Sequence, residues 1–183
     1  MKINPKNFRS QLESIKDLEE RNLVFDALSD EDKRREIAFD SLQLTLIGKI
    51  GGSYRCYWSN SLQNIRTNNS KKFQEKLVNE LPKCEVCARG AMMLSQIRLG
   101  NTVSSKAEYR SEGSKRLIKG FTLDSFEKME TEYEDYGYKC FWGSHPYKSN
   151  TTEKLQNICL NVIANGDFDI YDATDYLVDY LTK

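Results

Sequence analysis

The chain has 183 residues, 39% hydrophobic and 30% charged, with 27 basic and 27 acidic side chains. That length suits one domain, 1–183, with room for a real core. No apolar run approaches the roughly 20 residues of a membrane helix, which argues against a membrane-spanning class. The zero net charge hides a segregation: residues 1–40 carry 8 basic and 10 acidic side chains, 41–123 carry 14 and 5, and 124–183 carry 5 and 12. Either the oppositely charged parts neutralise each other or the basic middle meets a charged partner; neutralisation is the simpler account. Five cysteines at irregular spacing fit a reducing cytosol rather than a disulfide scaffold, and the N-terminus lacks the order of a signal peptide.

Taken in chain order, Asn4-Pro5 followed by Phe8, Leu12 and Ile15 predicts a first helix over about 5–20. Ser29-Asp30-Glu31-Asp32 opens a second, its carboxylates placed where the helix dipole favours them. Leu42 to Leu46 also alternates like a strand, and Gly51-Gly52 is expected to end the element. Tyr54-Arg55-Cys56-Tyr57-Trp58 reads as a short strand. Ser70 caps a helix over about 71–81, kinked at Pro82 into the next. That next helix, 83–98, is the expected centre of the domain. Cys84, Cys87, Ala88, Ala91 and Ser95 form a column of small side chains, and Val86, Gly90, Met93, Leu94 and Ile97 a second apolar face. A narrow strip of Glu85, Arg89, Met92 and Gln96 is left for water or a polar partner.

Residues 102–119 are polar and basic, with the composition of a mobile surface loop or hairpin. Thr122 caps a further helix carrying Leu123, Phe126, Met129 and Tyr133, followed by a Gly- and aromatic-rich connection over 136–147. Asn150 with Glu153 forms a capping box for a helix through Val162, stopped at Asn165-Gly166. A last helical pattern begins near Asp172. The predicted class is mainly α, α+β with a minor β element.

Cys84-x-x-Cys87 is the one spacing that could hold a metal, with Cys140 and His145 as further zinc ligands. Against it, the pair sits in an apolar run and no second Cys-x-x-Cys exists, so small buried packing residues are the preferred reading. No metal or cofactor is assigned. His145 is the only histidine, and no nucleophile motif or Gly-rich phosphate loop is present. The expectation is that the chain is not an enzyme. The basic middle can contact RNA, with Tyr57 and Trp58 as stacking surfaces, and the aromatic cluster that includes Trp142 can anchor a protein partner.

Cys84-x-Val86-Cys87-Ala88-x-Gly90-Ala91, continued by an apolar helix to Arg98, resembles a motif of small uncharacterised proteins of bacteriophages and mobile elements. So does Glu153-Lys154-Leu155-x-x-Ile158 leading to Asn161 through Phe168. In size, charge segregation and lack of catalytic motifs the chain is similar to anti-CRISPR proteins. The resemblance implies a non-enzymatic inhibitor, acting in the bacterial cytoplasm on a defence nuclease or its ribonucleoprotein complex. The residues expected to make that contact are Tyr57, Trp58, Lys106, Arg110, Lys115, Arg116, Lys119 and Trp142. The alternative is a stand-alone RNA-binding module, zinc-stabilised at Cys84 and Cys87.

Overall fold

A computed structural model describes residues 12, 14–54, 69–100, 118–142 and 151–168, with side chains except at 70, 123 and 135–142. Residues 12 and 14 are helical and 15–17 are not, so the expected 5–20 helix is interrupted, and helix α1 (Leu18–Asp26) starts afresh where the Asp17 carboxylate accepts the Glu19 and Glu20 N–H groups at 2.9 Å. Helix α2 (Asp30–Leu46) is capped by Ser29, whose hydroxyl accepts the Asp32 N–H at 3.1 Å. It continues through Leu42 to Leu46, so the strand-like alternation there is helical. Leu42 and Leu44 are both buried because α2 has neighbours on more than one side.

Strand β1 (Ile50–Gly52) pairs in parallel with β2 (Cys84–Val86), Ile50 opposite Cys84 and Gly52 opposite Val86. Parallel strands need a crossover, and helix α3 (Ser70–Asn79) lies within it. Two expectations are corrected here. Gly51-Gly52 is part of a strand instead of a stop, and Cys84–Val86 is extended instead of the start of the central helix. Cys84 and Val86 are buried while Glu85 is exposed, a period of two that the helical reading also accommodated over so short a run. Pro82 therefore leads into a strand, not a kinked helix junction. The cap of α3 is Asn69, which accepts the Lys72 N–H at 3.0 Å, one residue before the predicted Ser70.

Helix α4 (Ala88–Gly100) is the central helix, shorter than the predicted 83–98 at its start and longer at its end. It packs against α1, α2 and α3 and against α5 (Leu123–Trp142). Every residue from Ala88 to Ile97 is buried, so the strip expected to face water does not: Arg89, Met92 and Gln96 lie inside. Thr122 caps α5 as predicted, its hydroxyl accepting the Ser125 N–H at 3.1 Å. The helix then runs on to Trp142 through what was expected to be a connection from 136. A single interior glycine, Gly137, costs about 1 kcal/mol and does not stop a 20-residue helix.

Helix α6 (Thr151–Asn165) buries Leu155, Ile158, Cys159 and Val162, as its spacing predicts. Its first turn closes the open edge of β1. Gly52 N–H donates to Thr152 Oγ1 at 2.8 Å, and Thr151 Oγ1 donates to Gly52 O at 2.7 Å, so both backbone groups of Gly52 are satisfied. Among the described residues, then, six helices surround a two-stranded parallel sheet, with α4 and α2 at the centre. The beginning of the predicted first helix, the predicted strand beyond Tyr54, Asn150 and the segment from Asp172 lie outside the described residues.

Candidate functional site

The residues on either side of the predicted basic contact are firmly held. Gly100, the last residue of α4, packs so closely on α1 that a Cβ there would lie 2.1 Å from Cδ1 of Phe25. At the other end Ile118 is buried, and the Lys119 N–H donates to the side chain of Gln96, itself fully buried. The Lys119 ammonium pairs with Asp26. Gly100 and Lys119, on either side of 101–117, thus meet Phe25 and Asp26, adjacent residues of one helix. Lys119 is the one predicted contact residue whose side chain is described, and it is an anchor. Trp142 ends α5 with its side chain outside the described set. Tyr57, Trp58, Lys106, Arg110, Lys115 and Arg116 lie outside the described residues altogether.

Charge segregation in the sequence becomes pairing in the fold. Basic residues of the middle segment meet acids of both flanks: Lys71 with Glu19 at 2.8 Å, Arg98 with Asp40 at 3.1 Å, Arg89 with Glu130 at 3.5 Å, and Lys119 with Asp26. Glu19 also raises the Lys71 pKa, through its hydrogen bond first and its charge second. Four of the fourteen basic residues of 41–123 are paired in this way.

Three cysteines lie within the described side chains, and all three, Cys84, Cys87 and Cys159, are buried. Burial pushes the Cys87 thiol up to about 12, opposed by the Gly90 N–H that its sulfur accepts at 3.4 Å. Burial raises the Cys159 thiol as well. A thiol held protonated at neutral pH is a poor ligand and a poor nucleophile. Among the described residues no group of three or more His, Cys, Asp and Glu side chains could hold a metal ion. His145 and the Cys140 side chain lie outside that set.

One cluster escaped the sequence reading. Arg21 from α1, Glu36, Asp40 and Gln43 from α2, and Arg98 and Leu99 from α4 line a half-open cavity of about 100 Å³ with Leu12. Arg98 Nη1 donates to Asp40 Oδ2 at 3.1 Å, and Arg21 Nη2 to the Ile15 carbonyl at 2.9 Å. Two guanidiniums and two carboxylates leave no net charge, and a polar cavity of this size has room for water. A compensated ion cluster between three helices is what this geometry makes. Its sequence signal was Glu36 and Asp40 at i and i+4, one turn apart and flanking the apolar stripe of α2. No protein-family model, curated protein or solved structure matches the chain.

Proposed function

We propose that the chain is a non-enzymatic binding protein of the phage or mobile-element type, which inhibits a bacterial defence nuclease by engaging the effector or its guide RNA in the cytoplasm. The observation that carries this reading is the anchorage of the residues on either side of 101–117. Gly100 packs on Phe25 and the Lys119 ammonium pairs with Asp26, its neighbour in α1, and the sequence between them bears Lys106, Arg110, Lys115 and Arg116. Holding both flanks at one place lowers the entropy a binding segment gives up on contact. The buried thiols and self-compensated ion cluster support a scaffold role for the interior. Lys71, Arg89, Arg98 and Lys119 are already paired with acids, which directs attention to the basic residues of 101–117.

The mechanism is electrostatic. Four cations steer encounter with an acidic protein surface or a phosphate backbone, and Tyr57, Trp58 and Trp142 supply aromatic anchors. No described helix is long and apolar enough to cross a membrane, in keeping with this assignment.

The test is affinity capture with tagged protein from bacterial lysate, with and without RNase, comparing the natural chain with the K106E/R110E and K115E/R116E variants. The proposal expects a stoichiometric nuclease component that survives RNase and is lost with charge reversal. RNA alone, lost with RNase, would instead favour the stand-alone nucleic-acid module. Unchanged capture by both charge-reversed variants would remove 102–119 as the contact.

A further inference from the structure

Arg34 lies in the second turn of α2, and its guanidinium reaches two carbonyls far apart in sequence. Nε donates to Gly166 O and Nη1 to Gly120 O, while Asp167 Oδ1 stands 3.7 Å from Nε. Both glycines have left-handed backbone, φ 88° at Gly120 and 72° at Gly166. Both also press on the first turn of α2: a Cβ on Gly120 would lie 2.6 Å from Asp30 O, and one on Gly166 would lie 2.6 Å from Glu31 Cγ. Neighbouring Arg35 ties the same helix to Ile163 O at 3.1 Å and to Glu31 at 2.8 Å, but it does not reach Gly120.

The turn at Gly120 follows the basic stretch, and the turn at Gly166 precedes the acidic sequence that contains Asp169, Asp172, Asp175 and Asp179. We infer that Arg34 is a coupling joint: one planar guanidinium sets both turns, so a change at either is transmitted to the other. The fork geometry is essential, because a lysine ammonium is a point charge on a flexible stem and cannot hold two divergent carbonyls in fixed directions. This joint goes beyond the proposed binding role and stands without it. Where that role holds, a partner gripping the basic stretch would be felt at the start of the C-terminal sequence.

The experiment is amide hydrogen exchange by NMR on the full chain. The reporters are Lys119 N–H, bonded to Gln96, and Gly166 N–H, bonded to Val162 O at 2.9 Å. Leu94 and Ile97 in α4 serve as the global reference. In R34K both reporters should exchange about tenfold faster, the loss expected for a charge-assisted hydrogen bond, with the reference unchanged. G166A places a side chain at positive φ and should accelerate Lys119 exchange in the natural background, with no further acceleration in R34K. Acceleration at only one turn in R34K, or an unmoved Lys119 amide in G166A, overturns the joint. Should R34K fail to fold, R34Q takes its place in both measurements, with the same expected and contradicting results.

Discussion

The two ends of α4 are held by different physics. At its N-terminal end, Cys87, Ala88, Ala91 and Met92 are buried, and Arg89, paired with Glu130, is only 4% exposed. At its C-terminal end Arg98 meets Asp40 at the rim of a half-open cavity, Arg98 being 20% exposed. There Gln96 accepts the Lys119 N–H and Gly100 packs on Phe25, on either side of 101–117. Removing Arg89 empties space inside the packed end of α4, whereas Arg98 lines a half-open cavity that water can enter. The first end is thus tied to the core, and the second lies beside the residues that flank 101–117.

The sharpest way to break that contrast is to remove the buried cation. Arg89→Ala empties the volume of a side chain only 4% exposed and removes one partner of Glu130, and should cost about 3–5 kcal/mol by urea denaturation. Next comes Gly100→Ala, which drives a Cβ into the Phe25 ring and should cost about 1–3 kcal/mol. Arg98→Ala should cost about half as much as Arg89→Ala, since water entering the cavity can solvate Asp40. An equal loss for the two arginines would erase the distinction between the ends. Lys119→Ala should change stability by less than about 1 kcal/mol, because its pair with Asp26 is largely exposed, yet it should weaken partner capture by releasing one anchor.

The thiols sharpen the dry side further. With its pKa raised in the fold, Cys87 holds its proton while the unfolded thiol ionises from about 9. The unfolded state then binds fewer protons, so stability should fall as pH rises from about 9 towards 12. Cys87→Ala should flatten part of that slope in urea titrations. An unchanged slope would mean that the thiol is solvated.

Much of the fold was legible because caps and helical spacing are local. Ser29, Thr122 and Gly166 mark boundaries that the structure keeps, and Leu155, Ile158, Cys159 and Val162 face inward as their spacing required. Cys84–Val86 was misread because three residues fit either period, and what decides between them is β1, more than 30 residues earlier in the chain. Arg89 and Gln96 looked like solvent positions. Glu130 and the Lys119 backbone, both distant in sequence, are among the partners that make their burial tolerable. The charged cavity was hidden for the same reason, since its members come from three helices.

The measurement that most directly tests the central claim is the affinity of the K106E/R110E/K115E/R116E variant for the captured partner, beside its urea midpoint. If the C-terminal end of α4 presents a contact while the other end holds the fold, the midpoint stays put and affinity falls at least about tenfold, with a shallower dependence on salt. Affinity and salt dependence equal to those of the natural chain, at the same midpoint, would contradict it.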